Sequence, residues 1–376
     1  MSPLYDQTEP PSSPSSTPKF RENKFFNPVK LTEYELWWSA RYSFFLKNGY
    51  MLRPRYKPDW KPSWVGTNLD PIDCEDSIRP FMPTLLDARS RETNRPVCIK
   101  RITKKSKEVE IARYLSPRNL PDAHNHCVEI LASFQDPEKP GTSYIVMPLL
   151  RQFDDPEFGS LGEVVDFVTQ ILEGTAFIHR NLVAHGDLTG ANIMMDASSI
   201  LPRGWHFVSP SFTPDGQNIL APLARIDYPV KYFIIDHDCS VRFSPGQSPI
   251  IDGLGGRDND APELFQRKPF DHFKLDVFTL GNVFLKDFSQ KYLGLEFLES
   301  LTDFMMTRDP HMRPTANEAL QYWYNIRDNL NTATARWRLR KPDESVGERV
   351  IKTVAAARDN LRYLFHGDER KSWSSS

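Results

Sequence analysis

Proline decides where regular structure can lie in this chain, because its fixed φ and missing N–H exclude it from helix interiors and central strands. The 376 residues hold 31 prolines, unevenly spread. Residues 51–96 carry seven, and the short segments 84–88 and 97–102 read as strands between turns. None occurs in 157–201, 270–309, 315–341 or 343–376. In the first of these gaps Val164, Val168, Ile171, Leu172 and Ile178 recur at helical spacing. Strands and turns come first and helices later. The pattern predicts an α+β chain with a small β-rich lobe followed by a larger, mainly α-helical lobe.

The same punctuation marks additions to this frame. Residues 1–20 contain five prolines and five serines and too little apolar content to bury, so 1–23 is expected to be a disordered tail. Aromatics crowd residues 25–50, and Trp37, Tyr42 and Phe45 lie near helical spacing. This predicts an amphipathic helix over 31–47, within an extension (24–79) that packs on the first lobe. Pro202, Pro210, Pro214, Pro222 and Pro229 mark 197–229 as an inserted surface loop, either a substrate or partner contact or a tolerated insertion. Residues 329–376 are expected to form a partly helical tail.

A net charge of −2 removes the electrostatic case for a nucleic-acid partner. No apolar run approaches the roughly 18 residues of a membrane span. The start MSPLYDQTEP has neither the basic nor the apolar stretch of a signal peptide. Cys74, Cys98, Cys127 and Cys239 form no CxxC, so reduced thiols in an intracellular protein, cytoplasmic or nuclear, are expected.

Three segments carry chemistry. His185-Gly-Asp187-Leu-Thr-Gly-Ala-Asn192 follows a long helix. An Asp with an Asn five residues later suits phosphoryl transfer, the Asp orienting the attacking hydroxyl and the Asn oxygen holding magnesium. Tyr232-Phe-Ile-Ile-Asp236 is an apolar strand that delivers a carboxylate, suited to magnesium against phosphate. Val97-Cys98-Ile99-Lys100 is a strand whose alternation puts Cys98 and Lys100 on one face.

In this order the segments resemble the protein kinase superfamily. Lys100 looks like the nucleotide lysine and Glu108 like the helix glutamate paired with it. Tyr144 to Leu150 looks like the strand running into the hinge, with Met147 as gatekeeper. HGDLTGAN resembles the HRDxKxxN loop, and Asp236-His237-Asp238 the DFG triplet. Ala261-Pro262-Glu263 is an intact APE, Asp276 to Gly281 fits DxxxxG, and the segment from Arg308 to Leu320 fits the late large-lobe motif. HGDxxxxN is shared with small-molecule phosphotransferases, and the last three motifs decide against them. The proline- and tryptophan-rich beginning also resembles divergent fungal kinase-domain proteins.

The resemblance covers about residues 80–328. It implies a two-lobed kinase-like fold (80–147 and 148–328) that uses ATP and Mg2+. It places Lys100, Glu108, Cys98, Met147, Pro148 and Leu149 at the nucleotide and Asn192 and Asp236 at the metal. Asp187, Lys100 and Asn192 are then catalytic, and His185, Glu263, Asp276 and Arg313 structural.

The departures are specific. Gly66 is the only glycine between Met51 and Lys100, so no glycine-rich phosphate loop precedes the lysine. Gly186 and Thr189 stand where the catalytic loop has arginine and lysine. His237 and Ala112 are expected to loosen the packing between the lobes. The leading reading is an ATP-dependent protein kinase acting on Ser or Thr of an unidentified protein substrate. The alternatives are a pseudokinase scaffold and, behind it, a small-molecule phosphotransferase.

Overall fold

The computed structural model describes residues 29–370, apart from 104–106, 254–255 and 267. The tail expected over 1–23 lies outside them. The first lobe is a five-stranded antiparallel sheet built from β1 (Tyr50–Leu52), β2 (Leu85–Ser90), β3 (Pro96–Ile102), β4 (Ala132–Gln135) and β5 (Ser143–Pro148). Its strand order is β1-β2-β3-β5-β4. Strand alternation splits its residues between two cores. Leu52, Leu86, Ala88, Val97, Ile99, Tyr144 and Val146 face outward and are covered by Trp38, Tyr42, Phe45 and Tyr56 of the N-terminal segment. Cys98, Ile145 and Met147 face inward and join the main core. Cys98 and Lys100 thus share the inner face, Cys98 opposite Met147 and Lys100 opposite Ile145.

The single helix expected over 31–47 is instead two, α1 (Glu33–Ala40) and α2 (Tyr42–Lys47). Arg41 leaves helical backbone (φ −103°, ψ 7°), its N–H satisfied by the Trp38 carbonyl. Its guanidinium is drawn onto buried Asp136, Nε to Oδ2 at 2.5 Å and Nη2 to Oδ1 at 3.2 Å. Between β1 and β2, three 3-10 turns (Pro54–Tyr56, Pro71–Asp73 and Glu75–Ser77) take the place of a glycine loop.

After the short α3 (Glu108–Leu115), the second lobe is helical: α4 (Leu161–Arg180), α5 (His272–Phe284), α6 (Glu299–Met305) and α7 (Ala316–Asp328). Val164, Val168, Ile171, Leu172 and Ile178 of α4 are fully buried. A three-stranded sheet, β6 (Arg151–Gln152), β8 (Ile193–Asp196) and β9 (Lys231–Ile234), lines the cleft side of this lobe, and β7 (Val183–Ala184) leads into the loop between α4 and β8. The tail returns onto the lobe through bridges from Arg338 to Ser160 and from Arg340 to Leu293, then forms α8 (Val346–Arg370). No described helix is long and apolar enough to cross a membrane.

The 197–229 segment is more than a surface loop. Leu201, Trp205, His206, Thr213 and Arg225 are buried. Arg225 donates to the Phe153 carbonyl (2.9 Å), the Tyr232 hydroxyl (3.1 Å) and the Pro156 carbonyl. Proline spacing gave no signal of these anchors, because they are single side chains within irregular backbone.

Candidate active site

Lys100 reaches from the inner face of β3 into the cleft. Its Nζ lies 2.5 Å from Glu108 Oε1 and 2.8 Å from Asp236 Oδ1. Glu108 opens α3, where a carboxylate is favoured by the helix dipole. Burial alone would lower the Lys100 pKa, but Glu108 and Asp236 hold it above its ordinary value. Burial likewise pushes Asp236 up, and Lys100 outweighs it, leaving Asp236 below the usual range. Glu108 ends raised, because burial outweighs its lysine partner. One cation serves two carboxylates, and the one nearer the cleft keeps its charge most firmly. Asp236 stands at φ 67°, a left-handed conformation unusual for a residue with a side chain.

The loop after β7 is held from below. Asp276 of α5 accepts from the backbone N–H groups of His185 (2.6 Å) and Gly186 (2.8 Å), and lies 2.9 Å from His179 Nε2. The His185 ring meets the Ile235 carbonyl at 2.9 Å. Gly186 has φ +78°, and a Cβ there would sit 2.5 Å from the Cys239 carbonyl oxygen, so no arginine fits. The next residue, Asp187, receives two bonds from Asn192 Nδ2, 2.9 Å to Oδ2 and 2.8 Å to its carbonyl. Below the site Glu263 and Arg313 form a buried two-pronged ion pair (2.6 and 3.0 Å).

Beside Lys100 lies a slot of ≈110 Å³, walled by Leu85, Cys98, Met147, Pro148, Leu149 and Phe207. Burial pushes the Cys98 thiol up to about 12, so it serves as an apolar wall. The slot runs back to Ala112 and His237, where the small side chain of Ala112 leaves room. Burial, with His185 beside it, lowers His237 to about 3, and its Nδ1 pairs with Ser240 Oγ at 3.1 Å. It is a neutral packing group.

The family model of the protein kinase domain matches residues 83–296, more than half of the chain. The chain belongs to the protein kinase family. No curated protein matches it. The matched stretch includes Lys100, Glu108, Asp187, Asn192, Asp236, Glu263 and Asp276, while Arg313 lies beyond it. The kinase's donor set suits magnesium arriving with nucleotide, since Mg2+ takes one or two carboxylates together with phosphates and waters. Asp236 and Asn192 would hold it; they sit side by side at the ends of β9 and β8, where the Ile235 N–H donates to the Asn192 carbonyl at 3.0 Å.

Two residues that sequence reading missed complete the kinase site. Phe207, from the 197–229 segment, walls the slot. Arg257 donates its backbone N–H to Asp187 Oδ1 at 2.6 Å and its Nη1 to Asn192 Oδ1 at 3.0 Å. A signal for Arg257 was present. Thr189 removes a cation from the loop, and only Arg242 and Arg257 could supply one between Asp236 and Ala261.

Proposed function

We propose that this chain is an ATP-dependent protein kinase that transfers the γ-phosphate of Mg-ATP to a serine or threonine hydroxyl of a protein. The observation that carries the reading is the convergence of Lys100, Glu108 and Asp236 with the bonded pair Asp187 and Asn192 around one cleft. In this mechanism adenine occupies the apolar slot, and Lys100, steered by Glu108, neutralises the phosphates. Asn192 and Asp236 would hold magnesium, which when bound would supply positive charge against the phosphates. Asp187 orients the incoming hydroxyl and takes its proton. Such catalysis is positioning plus charge stabilisation. Labelled ATP with generic protein substrates should give label on serine and threonine. Asp187→Asn should reduce incorporation by about 10²–10⁴-fold with the melting temperature retained. Incorporation unaffected by that change would sink the assignment.

A second reading, a nucleotide-binding pseudokinase acting as a scaffold, is favoured by one observation. Arg257 occupies the Asn192 oxygen that would hold magnesium. Thermal unfolding separates the two, because a ligand that binds only the folded state raises the midpoint. A shift with Mg-ATP but no turnover would favour the scaffold.

A further inference from the structure

The phosphoryl group in flight spreads negative charge over its equatorial oxygens, and cations placed around it supply much of the catalysis. This site has lost one of them. Thr189 stands two residues past Asp187, and its hydroxyl is buried with no hydrogen-bond partner among the described residues. Of the two arginines between Asp236 and Ala261, Arg242 lies over the Tyr114 ring at 3.5 Å and is committed there.

Arg257 is placed differently. Its Nη1 lies 3.0 Å from Asn192 Oδ1 and 3.7 Å from Asp187 Oδ2, so it touches both members of the catalytic pair. Its side chain is 57% exposed, unlike a structural buried arginine. The preceding Gly256 lies so close to Asp187 that a Cβ would stand 2.2 Å from Oδ1. Only glycine lets the backbone approach this far, and the approach delivers the Arg257 N–H to Asp187. The main chain is therefore anchored at the catalytic carboxylate while the guanidinium can move.

We propose that Arg257 is a catalytic residue whose guanidinium replaces the missing loop lysine and binds the γ-phosphoryl oxygens in the transition state. The proposal rests on the kinase reading above. The substrate oxygen bonds to the γ-phosphorus as the bond from that phosphorus to the β,γ-bridging oxygen breaks. The hydroxyl proton passes to Asp187, and the electron pair leaves with ADP. A guanidinium that turned from Asn192 to phosphate would leave Asn192 Oδ1 open to a magnesium ion, and a planar guanidinium can bind two phosphoryl oxygens at once.

The test measures kcat and KM for ATP on the full chain with R257A, R257K and the double variant T189K/R257A, each checked by thermal unfolding. R257A should lower kcat about 10²–10³-fold with KM little changed. R257K should fall between R257A and wild type, because a point charge lacks the fork. Thr189→Lys added to R257A should restore most of the lost kcat by returning the charge to the loop. Turnover of R257A equal to or above wild type would overturn the proposal and make Arg257 a latch on Asn192. A loss that T189K does not relieve would also overturn it. If the wild type itself transfers no phosphate, the kinase reading fails first and this role falls with it. An active wild type with an indifferent R257A removes the Arg257 role alone.

Discussion

At the residue scale, the chain uses buried carboxylates both as structural anchors and as cleft groups, and their partners determine which. Asp136 is the clearest anchor. It accepts from Arg41 and from the Tyr144 hydroxyl (2.5 Å) and from the backbone N–H groups of Glu138 and Lys139 (2.9 Å each). Burial alone would raise its pKa, but these donors lower it from 3.8 to about 2. A carboxylate whose folded pKa is depressed stabilises the fold above its unfolded value, and that stability is lost as pH falls toward the folded value. The Asp136 contribution should therefore be complete above about pH 4 and fade between there and about pH 2. Asp136→Asn should cost about 3 kcal/mol at neutral pH, because it takes from the buried Arg41 the nearer of its two carboxylates and leaves only Glu138, at 3.6 Å. It should also flatten the dependence of the urea midpoint on pH in the acid window. A midpoint that keeps the wild-type slope below pH 4 in the variant would assign that dependence to another group.

At the element scale, the irregular 197–229 segment shapes the slot beside Lys100. Phe207 lines both the ≈110 Å³ slot and a larger cleft of ≈960 Å³, as do Pro148 and Leu149. Ligand sites commonly hold about 300–1,000 Å³, so the slot is narrow for a nucleotide. Phe207→Ala should join the two spaces and strengthen Mg-ATP binding about tenfold, or about 1.4 kcal/mol. Titration calorimetry of the two proteins measures this, and weaker binding by the variant would make Phe207 a stacking wall for the base. This element also shows the limits of the sequence. Elements with a repeated pattern were legible: the α4 stripe, the alternation of β3, and the motif residues from Lys100 to Asp276. The break at Arg41 was not, because it depends on Asp136, far away in the chain. Nor was Phe207, since it works through one side chain on irregular backbone, where no period exists to read, and Arg257 left only the indirect signal of the cation missing at Thr189.

At the scale of the whole molecule, the two proline-rich additions meet each other across the front of the cleft. Arg53, from the N-terminal segment, is buried and bonds Glu75 Oε1 (2.9 Å) and the Ile78 carbonyl (2.9 Å). The same guanidinium lies 3.2 Å from His206 Nε2 in the 197–229 segment. Gln217 of that segment donates to the Asp73 carbonyl at 2.6 Å. Asp87 of β2 lies 3.4 Å from Arg53, and burial raises its pKa. One arginine thus holds the small lobe's sheet, its extension and the large lobe's loop in a single charged cluster. Lobes joined only by a hinge are free to unfold separately, whereas lobes tied on a second side share the penalty of opening. Wild-type protein should therefore show one calorimetric transition. Arg53→Ala leaves Glu75 and Asp87 without their cation and should cost about 3–5 kcal/mol. If the cluster is what couples the lobes, that loss should appear as a split into two transitions, with the small lobe melting first because it has the smaller core. A variant that melts in one lowered transition would instead show that the hinge and the inter-lobe core suffice, and that Arg53 stabilises without coupling.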